Sequence, residues 1–307
     1  MKYKSIIIRV ILIIVNIFIN IKLFKKIKVC LCTIGKQENL YAREYVNYYR
    51  NLGVNKIFIY DNNDKNDEKF DIVLKDYIDK KFVEIIDIRG MIAPQIIAME
   101  DCRKNNYKKF DWLIFYDMDE FLFLRNYSKV NKYLSQKKFD KCQRIQLNWL
   151  YHTDNNLLYY DNRTLAERFP EIDNRWKNKK IGGSEGIKSI LKGNIDIAIN
   201  DAHILNPNLT CCDGFGKIKE IEGIITNESD HYYYYIDHYW AKSLEEFVNK
   251  LMKGSVAVGF RNEHLLERIH IYFKSSDLTM DKINYIENRT KLNLSKYKSI
   301  LNNKIKK

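Results

Sequence analysis

The sequence predicts an α/β protein with a mainly parallel sheet flanked by helices. Short apolar strands alternate with helical segments over residues 27–124, and successive strands are separated by enough residues for a crossover helix. Such alternation is typical of parallel sheets with right-handed connections. The chain has 307 residues, of which 46% are hydrophobic and three are proline, so it can bury a large core.

The elements of this first part are predicted from apolar runs and from helix caps. The predicted strands cover residues 27–34, 56–60, 82–88 and the apolar run that starts at Trp112. The predicted helices cover residues 39–52, 69–77 and about 94–105. Gly53 follows the first helix as a C-cap, and Pro94 suits the first turn of the third helix.

The alternation weakens after Glu120, where we expect a smaller mixed region. The strands predicted there cover residues 144–151, 187–191, 195–199 and 232–236. Residues 153–186 are polar and typical of a loop. A helix over residues 244–252 begins behind Ser243, with Glu246 at the capping-box position.

The chain is expected to comprise an apolar N-terminal segment (residues 1–26), a main domain (27–260) and a basic helical tail at the periphery (261–307). Residues 5–24 approach the length of a bilayer span, although Arg9 and Lys22 interrupt them. We expect this stretch to contact a membrane as a single anchor or an interfacial helix, which makes the protein membrane-associated. A helix packed on the core of a cytoplasmic protein is the alternative.

The six cysteines show no spacing typical of a metal site. The adjacent Cys211 and Cys212 would form a strained pair with each other. We therefore expect most of the six to be reduced, small apolar residues.

The charge of the chain indicates attraction to anions without defining a partner. The net charge is +13 and the pI is about 9.2, values that suit polyanions, anionic membranes or phosphorylated ligands. The lysines are spread along the sequence, so no specific nucleic acid is predicted. A glycine-rich dinucleotide fingerprint and a P-loop are both missing from the sequence, which disfavours those two nucleotide sites.

Three carboxylates follow the apolar run from Trp112. Asp117, Asp119 and Glu120 come directly after it, and apolar residues resume at Phe121. Ending a buried strand with three acids is costly unless a cation compensates them. On a strand, Asp117 and Asp119 would share a face and could hold one divalent ion against a diphosphate. The alternative is that these acids merely face solvent, which is common for an isolated D-x-D.

Further polar side chains follow the other predicted strands. Thr33 to Lys36, Asp61 to Asp64 and Asp87 to Gly90 all come at strand ends. In a parallel sheet, ligands collect at the carboxyl ends of the strands. The spacing therefore predicts one site at this edge of the sheet.

Several ordered segments resemble glycosyltransferase family 92, a group with a glycosyltransferase family 2-like domain and a GT-A fold. The segments that carry the resemblance are residues 38–54, 59–63, Gln95, Asp101, Cys102, 117–121, Trp149, 187–190, His203, and 238–247 with Lys250 and Gly254. They lie between about residues 27 and 260 and are more specific together than D-x-D alone. The resemblance implies a GT-A-like, Rossmann-like sheet and transfer of a sugar from a nucleotide-diphosphate-sugar, a UDP-sugar, to a glycan or other hydroxyl acceptor.

The resemblance also implies roles for individual residues. The implied metal ligands for Mn²⁺ or Mg²⁺ are Asp117, Asp119, His238 and His203. The implied donor-binding residues are Thr33, Glu38, Asp61, Gln95, Asp117, Lys242 and Lys250. Metal and lysines would stabilise the charge of the departing nucleoside diphosphate. Structural roles are the alternatives: packed histidines, solvated lysines, and an Asx turn at Asp61.

The family is regarded as inverting, which implies a carboxylate that deprotonates the acceptor hydroxyl in a single displacement. Glu185, flanked by glycines, is the first candidate, and Asp201 and Asp213 follow. The glycine-rich segment 182–186 departs from any acceptor motif of the family, so it leaves the acceptor undefined.

Two other functions fit parts of the sequence. A nucleotidyltransferase of similar sheet architecture would use the acidic pair to position two metals, and its reaction would take place at the α-phosphate of the donor. The sequence has no glycine-rich first loop to support it. A nonenzymatic basic protein that binds membranes or nucleic acid would account for the charge but would leave the carboxylates after Trp112 without a purpose.

Overall fold

A mixed sheet runs through the residues that the structure, a computed structural model, describes: 27–173, 186–219, 230–254 and 262–305. The strands within these residues are β1 (Val29–Gly35), β2 (Lys56–Asp61), β3 (Val83–Asp87), β4 (Trp112–Phe115), β5 (Glu120–Leu124), β6 (Arg144–Tyr151), β7 (Ile187–Lys192), β8 (Cys211–Cys212), β9 (Ile218–Lys219) and β10 (Tyr234–His238). Their order is β3-β2-β1-β4-β7-β6-β10-β5, with β8 beside β6 and β9 beside β8.

Helices flank this sheet and form most of the C-terminal part. They are α1 (Asn39–Leu52), α2 (Phe70–Val73), α3 (Lys75–Asp79), α4 (Gln95–Asn106), α5 (Val130–Leu134), α6 (Leu165–Arg168), α7 (Asp230–Tyr233), α8 (Leu244–Lys253), α9 (Asn262–Ser275), α10 (Met280–Thr290) and α11 (Ser295–Ile305). Two predicted caps are confirmed. Gly53 ends α1 in the left-handed conformation at φ 94°, and Ser243 and Glu246 form a capping box at α8.

The first four strands form the parallel half of the sheet. β1 pairs in parallel with β2 on one side and β4 on the other, and β3 extends the sheet beyond β2. The predicted α/β fold with a mainly parallel sheet is therefore confirmed. The two inner strands β1 and β4 are covered on both faces, because every residue of each is buried.

The second half of the sheet is mixed, and the acidic segment connects a strand inside the sheet, β4, to a strand at its edge, β5. β7 pairs antiparallel with both β4 and β6, so it separates β4 from the rest of the second half. β5 lies at the far edge, where it pairs antiparallel with β10. The chain therefore crosses from the middle of the sheet to its edge between Phe115 and Glu120.

Three predicted elements differ from the structure. Residues 195–199 are not a strand, because Ile199 N–H donates to the Glu100 carboxylate of α4 (2.9 Å) instead of to a neighbouring strand. The helix predicted over 69–77 is interrupted at Leu74, between α2 and α3. The strand predicted over 232–236 begins later, at Tyr234, because residues before it form the helical turn α7.

The C-terminal helices pack on the main domain. Buried side chains of α8, α9 and α10 form one hydrophobic cluster, in which the rings of Phe247 and Tyr272 stack with centroids 4.2 Å apart. The boundary between the main domain and the C-terminal tail, expected at residue 261, stays a prediction. Helices α9 to α11 nevertheless contribute side chains to a packed hydrophobic cluster. The segment 5–24 lies outside the described residues. Among the helices that are described, none combines the length and hydrophobicity of a bilayer-spanning segment.

The expectation that most cysteines are reduced is wrong. Disulfides join Cys32 on β1 to Cys102 on α4, and Cys142 to Cys212 on β8, while the buried Cys30 and Cys211 are free thiols. The two partners of each bond are 70 residues apart, so no local spacing in the sequence indicates the pairing.

Candidate functional site

A cavity of about 400 Å³ lies beside the acidic segment after β4. Polar side chains from both halves of the sheet and from the C-terminal helices line it. They are Lys36, Glu38, Gln95, Asp117, Asp119, Asp173, His203, His238, Lys250, Lys253, Arg268 and Ser275. Trp149, Tyr151 and Trp240 supply aromatic surface, so the wall combines apolar platforms with convergent charges.

The acidic segment is a tight turn held by tyrosines of α1. Asp117 N–H donates to a Glu120 carboxylate oxygen (3.1 Å), and Glu120 N–H donates to the Asp117 carbonyl (3.1 Å). The hydroxyls of Tyr45 and Tyr49 donate to the carbonyls of Tyr116 (3.1 Å) and Glu120 (2.8 Å). Asp117 and Asp119 therefore project from a turn between two strands, whereas the sequence suggested a common face of one strand.

Lys188 on β7 neutralises one side of this turn. Its ammonium lies 2.8 Å from an Asp117 oxygen and 3.6 Å from Glu120, and its side chain is 1% exposed. Burial opposes the ionisation of Asp117, but the charge and hydrogen bond of Lys188, together with His203, hold the pKa of Asp117 below its ordinary value. Burial raises the pKa of Glu120 well above its ordinary value, although Lys188 acts in the opposite direction.

Lys250 and His238 lie on the other side of the turn, against Asp119. The Lys250 ammonium is 2.5 Å from one Asp119 oxygen, and His238 Nε2 is 3.7 Å from the other. Burial alone would raise the pKa of Asp119, but these two groups, Lys250 first, hold it below its ordinary value. Sheet pairing accounts for the position of His238, because it lies directly opposite Glu120 in the β10–β5 register.

His238 is enclosed by aromatic rings and retains an unsatisfied nitrogen. Its ring centroid lies 4.3 Å from that of Trp149 and 5.2 Å from that of Tyr151. Burial lowers the pKa of His238 to about 3, despite the nearby Asp119 carboxylate. Its Nδ1 has no hydrogen-bond partner among the described residues. The imidazole is therefore neutral near pH 7, as a metal ligand must be.

His203 also contacts Trp149, in a T-shaped arrangement. The two rings are 5.3 Å apart, and His203 Nδ1 lies 3.1 Å from the Ile187 carbonyl oxygen. Burial lowers the pKa of His203, and the nearby Lys188 lowers it further. His203 therefore lines the cavity as a neutral imidazole near pH 7.

One group of ligand atoms within the described residues is compact enough for a metal ion. Atoms of Asp119, Glu120 and His238 all lie within 4.8 Å of one another. One Glu120 carboxylate oxygen has no hydrogen-bond partner among the described residues, and its neighbour of opposite charge is the Lys188 ammonium at 3.6 Å. Two carboxylates and an imidazole are suitable donors for Mn²⁺, and the carboxylates suit Mg²⁺. The residues therefore fit a divalent cation, and Glu120 joins them where the sequence suggested Asp117 and His203.

A second charge cluster borders the cavity at the start of α1. Glu38 lies 2.5 Å from the Lys253 ammonium and 3.4 Å from that of Lys242. Burial opposes ionisation of Glu38, but these lysines lower its pKa below the ordinary value. Lys242 also lies 3.7 Å from the centroid of the Tyr41 ring. Glu38 therefore holds two cations next to the acidic turn.

The structure brings most of the sequence-predicted residues to this cavity. The ones that line it are Glu38, Gln95, Asp117, Asp119, His203, His238 and Lys250. Lys242 instead lines a neighbouring cavity, and Thr33 lines a small cavity of about 10 Å³ that shares Gln95 and Asp117 with the main one.

Three other sequence-predicted residues have different positions. Asp61 is 1% exposed, and one of its carboxylate oxygens accepts a hydrogen bond from Arg89 Nε (2.9 Å) in an ion pair. Its other oxygen accepts from Asn63 N–H and so forms the expected Asx turn. Asp201 and Asp213 accept backbone N–H groups of their own turns and do not line the cavity. Glu185 lies outside the described residues.

Sequence reasoning missed Lys188, Lys253 and Arg268. Lys188 carries a detectable signal, since its charge lies inside the short, largely apolar strand β7. Lys253 follows Lys250 by three residues and so faces the same side of α8. The sequence gives no indication that Arg268 belongs to the site, because α9 lies beyond the segments that resemble the family.

Comparisons with known proteins agree with these features. The model for glycosyltransferase family 92 matches residues 25–254. A glycosyltransferase family 92 protein of Ricinus communis is 31% identical over 97 residues, which are 32% of this chain and 17% of that protein. One from Oryza sativa subsp. japonica is 28% identical over 109 residues, 32% of this chain and 18% of that protein. The matched region thus covers less than a fifth of either relative.

Structural comparison aligns the chain with S. aureus TarS 1–349. The overlap covers 85% of this chain and 78% of TarS, with 10% identity and a TM-score of 0.38. For the TarS 1–349 complex with UDP-GlcNAc, it covers 85% of this chain and 79% of TarS, with 12% identity and a TM-score of 0.37.

Proposed function

Because its residues 25–254 match the family model, this chain belongs to glycosyltransferase family 92, and we propose that it transfers a sugar from a nucleotide-diphosphate-sugar to a hydroxyl group. The expected donor is a UDP-sugar, and the expected acceptor is a glycan or glycoconjugate. In this reaction an acceptor oxygen bonds to the anomeric carbon while the bond from that carbon to the diphosphate breaks. The departing nucleoside diphosphate takes both bonding electrons, so the site must stabilise negative charge.

The observation that carries this proposal is the acidic turn with its histidine. Asp119, Glu120 and His238 converge within 4.8 Å in the wall of a cavity that has room for a sugar and a diphosphate. A divalent cation held there would supply Lewis-acid stabilisation to the diphosphate. The turn is rigid because α1 tyrosines and the β10 pairing hold it. It can therefore present these groups in a fixed position.

The lysines around the turn supply cations to the same place. Lys250 reaches Asp119 from α8, with a side chain that is 24% exposed, so it can move from the carboxylate to an incoming phosphate oxygen. Lys188 is buried between Asp117 and Glu120 and has no such freedom. We assign Lys250 to stabilisation of the leaving group and Lys188 to positioning of the turn.

An inverting displacement requires a carboxylate that accepts the proton of the acceptor hydroxyl. Glu185 remains a candidate from the sequence, and the inverting outcome remains part of the proposal. The cavity supplies a second candidate, Asp173, whose side chain is buried in its wall. Asp201 is a weaker candidate than either, since two backbone N–H groups already bond to its carboxylate.

Product analysis tests this function against the nucleotidyltransferase alternative. The protein would be incubated with a panel of UDP-sugars and Mn²⁺, with and without EDTA. We expect release of UDP and free or transferred sugar, abolished by EDTA. Release of sugar 1-phosphate, with UMP freed or transferred, would support attack at the α-phosphate instead. Retention of UDP-sugar without turnover would favour a binding protein.

Membrane association through residues 5–24 remains a separate prediction, tested by fractionation with and without that segment.

A further inference from the structure

A side chain from the C-terminal helices reaches the donor cavity. Arg268 on α9 lines the same cavity as Asp117, Asp119 and Lys250. Helix α9 begins at Asn262, beyond the region matched by the family model, which ends at residue 254. The site therefore includes a wall that the family match does not cover.

Arg268 differs from the other lysine and arginine side chains around this cavity. Lys36 pairs with Asp64 (3.1 Å), Lys250 with Asp119 (2.5 Å) and Lys253 with Glu38 (2.5 Å), as three separate ion pairs. Arg268 forms neither an ion pair nor a hydrogen bond with any residue in the described part of the chain, and the carboxylates that act on its charge at longer range are Asp119 and, more weakly, Glu267. A partly buried guanidinium with its donors unused is available to an anionic ligand.

The rest of α9 is fixed, which holds Arg268 at the cavity. Tyr272, one turn further along, donates to the buried Asp154 carboxylate (2.6 Å). The same carboxylate pairs with the buried ammonium of Lys282 on α10 (2.7 Å). Tyr272 also stacks on Phe247 of α8. These contacts anchor α9 to the loop after β6, so Arg268 needs no large movement to meet a ligand.

We propose that Arg268 binds the diphosphate of the nucleotide-sugar donor in the cavity that the acidic turn also lines. This inference rests on the proposed function and extends it to the C-terminal helices. A guanidinium offers paired N–H donors that match two phosphate oxygens, and it stays protonated throughout. The charge arrangement favours this ligand, since Asp117, Asp119 and Arg268 line one cavity and a metal-bound diphosphate could contact both the acidic turn and the guanidinium.

Binding of UDP and of inorganic pyrophosphate, measured by calorimetry with Mn²⁺ present, tests this role. The variants are Arg268→Gln, Arg268→Lys and, as a matched control, the exposed Lys274→Gln on the same helix. Arg268→Gln should weaken both ligands roughly 10- to 100-fold, the effect of losing charge-assisted hydrogen bonds. Arg268→Lys should recover part of the affinity, and Lys274→Gln should stay within about twofold of wild type.

Turnover and folding measurements separate binding from a merely structural role. Arg268→Gln should raise the donor KM and flatten the salt dependence of UDP binding, while its urea unfolding midpoint stays at the wild-type value. Equal UDP affinity in wild type and Arg268→Gln would overturn the inference and leave the proposed function standing. Wild-type protein that binds pyrophosphate through Arg268 but not UDP would support the inference and contradict the UDP donor. Wild-type protein that binds neither ligand would overturn both.

Discussion

The Lys250 ammonium on α8 lies 2.5 Å from a carboxylate oxygen of Asp119. Lys250 therefore neutralises one of the three candidate metal ligands, the others being Glu120 and His238. Lys250 also donates to the Trp240 carbonyl (3.2 Å), which keeps the side chain folded over the turn. A cation and a metal ion cannot both be closest to the same carboxylate oxygen. Metal binding and the position of Lys250 are therefore coupled, and the displaced ammonium would be free for a phosphate.

Removing this lysine should change the affinities for metal and nucleotide in opposite directions. For Lys250→Gln we expect Mn²⁺ to bind roughly three- to tenfold more tightly, because about 1 kcal/mol of charge competition is lost. UDP should bind about tenfold more weakly, because one phosphate partner is missing. Calorimetric titrations with each ligand measure both effects, with Lys274→Gln as control. A loss of both affinities together would contradict this coupling.

The stability of the metal-free protein should depend on pH through His238. Its pKa is lowered from 6.5 to about 3 in the folded state, so the unfolded chain binds the proton more tightly. The stability that the neutral imidazole contributes is complete above pH 6.5 and is lost as the pH falls toward 3. Between pH 6.5 and 4.5, wild type should lose up to about 1.4 kcal/mol per pH unit more than His238→Gln. Urea unfolding in EDTA measures this difference, and parallel curves for the two proteins would count against it.

The buried pair between Lys282 and Asp154 should be essential for the C-terminal helices. Both side chains are almost fully buried, and Lys282 also donates to Asn156 (2.8 Å). Lys282→Met leaves the Asp154 charge uncompensated and should lower the free energy of unfolding by about 3–5 kcal/mol. The exposed Lys274→Met should change it by less than about 0.5 kcal/mol. Urea denaturation measures the free energy of unfolding of both variants. Similar unfolding midpoints for Lys282→Met and Lys274→Met would contradict the proposed role of the buried pair.

Cavity carboxylates, and not Asp201, should supply the catalytic base. We expect Asp173→Asn to lower kcat roughly 10²- to 10⁴-fold with little effect on UDP affinity, because only proton transfer is lost. Asp201→Asn should keep kcat within about twofold, since its side chain supports a turn away from the cavity. Glu185→Gln is the comparison variant. A large loss there, with Asp173→Asn active, would assign the base to Glu185.

Two disulfides should be present in protein purified without reductant. Peptide mapping under nonreducing conditions should link Cys32 to Cys102 and Cys142 to Cys212, and alkylation after unfolding should label Cys30 and Cys211. Replacing Cys142 and Cys212 together by serine should lower the free energy of unfolding by about 2–4 kcal/mol. Full labelling of all six cysteines without reduction would show that the bonds do not form.

Local signals in the sequence were sufficient for the first half of the fold. The helix predicted over residues 39–52 has the bounds of α1, because its apolar face and Gly53 define both. The first three strands were placed to within about two residues, since each is an apolar run closed by polar residues. Asp117 and Asp119 were found for the same reason, as acids that end a buried run.

The remaining features depend on contacts between distant segments. The insertion of β7 between β4 and β6 joins residues that are far apart in the sequence, and it brings Lys188 to the acidic turn. Glu120 was noted as an acid but not as a ligand, because its partner His238 becomes its neighbour only through the β10–β5 pairing. The disulfides and the position of Arg268 are also set by tertiary packing. Alternation and caps carry no information about any of these.

The central claim is that Asp119 binds a divalent cation that glycosyl transfer requires. Turnover of UDP-sugars should therefore be compared between wild type and Asp119→Asn over a Mn²⁺ titration, with urea unfolding to verify that both proteins are folded. We expect wild-type turnover to rise with Mn²⁺ and Asp119→Asn to lose at least about 100-fold at every concentration. Equal turnover by the two folded proteins, with or without Mn²⁺, would contradict the claim.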